Sequence, residues 1–174
     1  MHTLLVSALC PDRTGLVASV TGRLFDLGAN LGDTTFAVLA GGAEFSCVCD
    51  LPDSATAEDV RLALAELPEL EGAELVVEPF RFDAEKAPPG RVTHRIVVSG
   101  GDRPGLIARL SEVFVQFKAN IVRLEAQRVP DGAGGRRYVT RFAVAIPERS
   151  VGACLATVAN TAGALDLACD WEEG

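Results

Sequence analysis

The sequence predicts an α+β protein built of two ferredoxin-like βαββαβ modules, each an antiparallel sheet with its helices on one face. Three observations carry this reading. Asp12-Arg13-Thr14-Gly15-Leu16 returns as Asp102-Arg103-Pro104-Gly105-Leu106 at an offset of 90, with Ala18/Ala108, Ala29/Ala119 and Asn30/Asn120 in step and Leu31/Ile121 equivalent in type. That period is the length of a small domain and exceeds the roughly 20 to 50 residues of a solenoid repeat. Each half also runs strand, helix, strand, strand, helix, strand when read by hydrophobic period.

In the first half, Leu4 to Leu9 is an apolar run of strand length, and Thr14 to Leu27 then carries Leu16, Val20, Leu24 and Leu27 at helical spacing. Ala29 to Leu39 restarts an extended stretch, Gly41-Gly42 turns the chain, and Glu44 to Cys49 runs back as a hairpin partner. Pro52-Asp53-Ser54 stops that strand, Thr56 to Leu67 forms a second helix, and Ala73 to Phe82 closes the module. The polar, Pro-containing stretch 83–90 reads as a linker between module 1 (residues 1–82) and module 2 (residues 91–174).

The second half repeats the order: strand Arg95–Ser99, helix Pro104–Lys118, strand Ile121–Val129, a glycine-rich turn at 130–135, strand Tyr138–Ile146, helix Val151–Thr161 and strand Leu165–Trp171. Leu51-Pro52 matches Ile146-Pro147 at an offset of 95, so the second hairpin carries an insertion of five residues. A sheet covered by helices on one face leaves its other face and its edges to be paired or shielded, from which a homodimer is expected.

Composition narrows the function classes. Hydrophobic residues make up 48% and charged residues 23%, which fits a globular core. No apolar run reaches the roughly 18 to 20 residues of a membrane span and the N-terminus lacks a basic signal region, so a cytoplasmic protein without membrane contact is expected. Five cysteines, at 10, 47, 49, 154 and 169, form an odd set without a C-x-x-C pair, so reduced thiols are expected; Cys47 and Cys49 fall on one strand face as small core residues. With His2 and His94 as the only histidines, neither a metal site nor a cofactor is expected. The net charge of −8 opposes direct nucleic-acid binding, whose affinity comes from clustered Lys and Arg.

The repeated D-R-x-G-L element falls between the first strand and first helix of each module, and Asn30 or Asn120 stands where the next strand begins. The reading here is that the intervening helix returns the chain to the same side, so that loop and asparagine converge. A ligand there meets the N–H groups of a helix N-terminus at Gly15-Leu16 or Gly105-Leu106, which suit a carboxylate. Asp12 or Asp102 accepts from an ammonium group, and the Asn amide bridges either end. An α-amino acid pairs those charges. The alternative is purely structural: Asp12 and Asp102 as N-caps, Pro104 as a first-turn proline, Gly15 and Gly105 as packing glycines, the asparagines as strand-entry residues, and Arg13 and Arg103 as loop braces.

These residues resemble the signature of the ACT domain family, small-molecule sensing modules of βαββαβ topology with a D-R-x-G-[LI] loop after the first strand and an Asn opening the second. The resemblance runs from about Thr3 to Val77 and Thr93 to Trp171. In length and tandem layout the chain is most similar to the double-ACT group of glycine cleavage system transcriptional repressors. The resemblance implies a non-catalytic regulator that binds a small amino acid, of the glycine or serine class, and acts through a protein partner such as a transcription regulator. The ligand set it implies is Asp12, Arg13, Gly15, Leu16 and Asn30 in module 1 and Asp102, Arg103, Gly105, Leu106 and Asn120 in module 2. Pro11 against Gly101 and Gly28 against Lys118 imply unequal pockets.

Three other readings compete. A ligand-free protein-interaction scaffold uses the same fold. An acylphosphatase-like enzyme would use Arg13 to hold a phosphoryl group and Asn30 to orient water, but Asp12 beside the site repels phosphate. RNA binding on the sheet requires aromatic residues, only 6% of this chain, and a basic surround.

Overall fold

A computed structural model describes the chain except residues 83–90 and 133. Contacts divide it into two units, Met1–Asp83 and Ala84–Gly174. The linker expected at 83–90 lies outside the described residues, as does Ala133 of the expected glycine-rich turn.

Unit 1 comprises strands β1 (His2–Pro11), β2 (Asn30–Leu39), β3 (Gly42–Leu51) and β4 (Glu74–Pro79) and helices α1 (Leu16–Asp26) and α2 (Ala57–Ala65). The sheet order is β2-β3-β1-β4, and β3 pairs antiparallel with both β1 and β2. Leu4, Val6, Ala8 and Cys10 alternate inward from β1 and meet Leu16, Val20 and Leu24 of α1 and Val60 and Leu64 of α2 in one core. Both helices therefore cover one sheet face. On the opposite face Thr3 Oγ1 donates to Asp50 Oδ1 at 2.6 Å, and the Ser7 and Ser46 hydroxyls lie 2.8 Å apart. Cys47 and Cys49 share the core face, each 1% exposed.

Unit 2 repeats this with β5 (His94–Gly100), β6 (Asn120–Pro130), β7 (Arg136–Ala145) and β8 (Ala168–Glu173) and helices α3 (Leu106–Gln116) and α4 (Val151–Gly163), in the order β6-β7-β5-β8. Ile96, Val98, Phe142 and Val144 meet Leu106, Leu110 and Phe114 of α3 and Cys154 and Val158 of α4. Phe114 packs on Phe142 with ring centroids 5.2 Å apart. Each module has one extra residue at the same place, between Leu31 and Thr34 in β2 and between Ile121 and Arg123 in β6.

Several boundaries differ from expectation for local reasons. Helix α1 begins at Leu16 and α3 at Leu106, two residues later than expected, because Gly15 (φ +92°) and Gly105 (φ +79°) hold the left-handed conformation immediately before them. Helix α2 ends at Ala65, and Pro68–Leu70 forms a separate 3-10 turn. Strand β8 starts at Ala168 rather than Leu165, since Asp166 (φ 57°) completes the turn after α4 and Leu167 N–H donates back to the Ala162 carbonyl at 3.0 Å. The first hairpin closes with Ala40 (φ 51°) and Gly41 (φ 88°), both left-handed as a two-residue turn demands. The second runs on by one further pair, Pro130 with Arg136, so two of the five inserted residues lengthen the strands and the other three lengthen the turn between them.

Candidate functional site

The strand-to-helix loop of module 1 is fastened at three points. Asp12 N–H donates to the Gly41 carbonyl at 3.0 Å, tying the loop to the hairpin turn. Leu16, 2% exposed, anchors the helix start in the core. Arg13 Nη1 donates to the carbonyls of Pro68, Glu69 and Glu71 at 3.1, 2.9 and 3.0 Å, so its guanidinium closes the end of the 3-10 turn. The loop-bracing role considered for Arg13 is the one it holds.

The capping alternative is corrected. The residues before α1 and α3 are Gly15 and Gly105, neither helix has a side-chain cap, and Asp12 and Asp102 stand three positions upstream. Pro104 correspondingly precedes α3. Nor are the glycines packed: a Cβ on Gly15 would meet only Glu69 Oε1 at 4.0 Å and one on Gly105 nothing, so their left-handed φ is the reason for glycine. Leu16 N–H and Leu106 N–H donate to the carbonyls of Arg13 and Arg103 at 3.3 and 3.2 Å, and the N–H groups of the two residues that follow each lack an intrahelical acceptor.

In module 2, Arg103 Nε donates to the Leu165 carbonyl at 3.3 Å and its Nη2 lies 3.7 Å from Asp166 Oδ2, so it too braces a turn. Leu106 is 2% exposed and anchors α3 as Leu16 anchors α1. Asp102 differs from Asp12. Its Oδ2 accepts from Arg128 Nε at 3.0 Å and Nη2 at 2.6 Å, and this hydrogen-bonded carboxylate raises the Arg128 pKa further. Asp12 has no side-chain partner among the described residues, and Val38 occupies the position equivalent to Arg128.

The expected convergence of loop and asparagine does not occur within a module. Asn30 lies opposite Asp50, which lies opposite Thr3 near the start of β1, whereas Asp12 follows Pro11, opposite Gly42. Eight residues of β3 separate Asp50 from Gly42, about 26 Å at roughly 3.3 Å per residue. Asn120 opposite Ala145 and Asp102 beyond Gly100, itself opposite Tyr138, repeat the separation. The cause is topological: the helix carries the chain back along the strand, so β2 starts level with the start of β1. Arg13 and Asn30 therefore do not form the acylphosphatase-like pair.

Asp12, Gly15 and the N-terminus of α1 thus form one cluster, Asp102, Arg128, Gly105 and the N-terminus of α3 another, and the exposed Asn30 and Asn120 stand apart. Arg128 was missed by sequence reasoning, although aligning the halves sets it against Val38. An open cleft at Ala65–Leu75 contains none of the ten expected residues. Among the described residues, no three His, Cys, Asp or Glu side chains are grouped to hold a metal ion, and no helix is long and apolar enough to cross a membrane.

The repeated strand order and the repeated glycine loop make the chain a tandem of two ferredoxin-like modules. The model of the ACT domain family matches residues 2–78, so module 1 is an ACT domain, and unit 2 repeats its strand order. It is 33% identical over 131 residues to the glycine cleavage system transcriptional repressors of Escherichia coli (strain K12) and Shigella flexneri, an alignment covering 74% of this chain and 66%, just under two thirds, of each relative. Its fold is shared with the crystal structure of an unknown protein from Galdieria sulphuraria, at TM-score 0.77, 21% identity and coverage of 99% of this chain and 98% of that one. A candidate glycine cleavage system transcriptional repressor matches at TM-score 0.70 and 16% identity, covering 99% and 97%. At those identities both bear on the fold alone.

Proposed function

We propose that this chain is a non-catalytic regulator that binds a small amino acid, of the glycine or serine class, at the loop between first strand and first helix, and acts through a protein partner in transcriptional control of amino-acid metabolism. The observation that carries this reading is the repeated loop itself. A left-handed glycine, Gly15 or Gly105, opens a helix N-terminus beside an exposed carboxylate, Asp12 or Asp102. The helix end suits the carboxylate of an α-amino acid, and the aspartate suits its ammonium. The relatives named as repressors point the same way, and the net charge of −8 favours a protein intermediary over direct contact with nucleic acid.

Because Asn30 and Asp12 sit at opposite ends of one sheet, an asparagine reaches a loop-bound ligand only from a different module, and a second copy of the chain supplies one in a homodimer. The ligand-free scaffold has its own support in Phe25 and Val115, 77% and 75% exposed at equivalent helix positions. A thermal-shift screen of the twenty amino acids separates the two. The sensing reading predicts stabilisation by glycine or L-serine, about 2.7 kcal/mol at 100 times the dissociation constant. No shift with any amino acid favours the scaffold.

A further inference from the structure

The two modules differ in a concerted way at the end of the sheet beside the strand-to-helix loop. Aligned on their strand registers, Arg128 stands at the position of Val38, Tyr138 at that of Ala43 and Thr140 at that of Phe45. Three apolar residues of module 1 are thus three polar residues of module 2, on the helix-covered side of the sheet. Arg128 reaches Asp102 at 2.6 Å, Tyr138 lies opposite Arg128 in the ladder, and Thr140, 0% exposed, has a hydroxyl with no hydrogen-bond partner.

We infer that module 2 is the amino-acid site, and that an α-amino acid zwitterion binds by entering between Asp102 and Arg128. The inference rests on the functional reading above and says which module carries it. The side chains of Arg128 and Asp102 are 62% and 47% exposed, so solvent compensates much of the pair and opening it costs little. A zwitterion supplies both replacements: its ammonium donates to the Asp102 carboxylate, and its carboxylate accepts from the planar fork of Arg128. A lone cation or anion satisfies one partner and strands the other. The helix N-terminus behind Gly105 adds N–H groups at the carboxylate end.

Module 1 lacks this pairing, because Val38 replaces the arginine and Arg13 is held by three carbonyls.

The test is calorimetric titration of glycine and L-serine into the full chain and its Arg128→Gln, Asp102→Asn and Asp12→Asn variants. Arg128→Gln and Asp102→Asn are each expected to weaken binding by about tenfold or more, the loss of a charge-assisted contact. Both residues are exposed, and unchanged unfolding midpoints exclude a folding defect. Tighter binding by Arg128→Gln overturns the inference, since Arg128 then blocks Asp102. Loss of binding with Asp12→Asn but not with Asp102→Asn overturns it too, by moving the site to module 1, and leaves the broader reading intact. Failure of the wild-type chain to bind either amino acid removes both.

Discussion

Asp12 and Asn30, the two most distinctive polar residues of module 1, lie at opposite ends of the same sheet, with the length of β3 between them. A strand, a covering helix and a second parallel strand force this, since the helix must travel back before the second strand starts. No single module can clasp one amino acid with both residues.

Asn30 is exposed and makes no side-chain hydrogen bond among the described residues, so Asn30→Ala is expected to change the free protein's stability by less than about 0.5 kcal/mol. If a second copy delivers the asparagine to the ligand, the same variant weakens binding by roughly 1 to 3 kcal/mol. Sedimentation of the chain at micromolar concentration is expected to give the mass of two copies. A one-copy mass contradicts that arrangement.

Gly15 and Gly22 predict opposite outcomes for the same change. Gly15→Ala places a Cβ at φ +92° and is expected to destabilise module 1 by about 1 to 2 kcal/mol, although nothing clashes. Gly22 sits inside α1 with open space around it, so Gly22→Ala is expected to stabilise by about 0.5 to 1 kcal/mol. Urea unfolding of both variants gives the sign of each change.

Lys118 occupies the helix-ending position that Gly28 fills in module 1, with φ 56° against 79°, and the same return bonds follow: Ala119 N–H to Phe114 O at 2.9 Å and Ala29 N–H to Leu24 O at 3.0 Å. A lysine there carries left-handed strain that glycine avoids. Lys118→Gly is expected to stabilise module 2 by about 1 kcal/mol, read as a higher denaturation midpoint.

Thr140→Val removes a buried hydroxyl that has no partner while keeping the side chain's shape. It is expected to raise the stability of the free protein by about 1 kcal/mol. A loss of stability means that the hydroxyl is paired in solution.

The sequence made much of this legible, and its failures have physical causes. The order of strands and helices followed from hydrophobic period, and the repeat located both loops, because a left-handed glycine before a helix is a local requirement that recurs with the fold. The exact starts of α1 and α3 were missed, since Thr14 and Pro104 look helical until the glycine's φ is known. The 3-10 turn at Pro68–Leu70 falls between the expected helix, ending at Leu67, and the expected strand, starting at Ala73, so the partner of Arg13 was invisible. Arg128 and Asp102 are 26 residues apart and meet only through the register of β5, β6 and β7. The convergence of Asp12 with Asn30 was a topological error, correctable by tracing strand directions.

The central claim is that this two-module protein recognises a small amino acid, and equilibrium dialysis of radiolabelled glycine and L-serine against the full chain tests it most directly. The account predicts saturable uptake of at least one of them, displaced by the same unlabelled amino acid and weakened by about tenfold or more in Asp102→Asn. Uptake that stays proportional to free concentration for both, with no displacement, contradicts it.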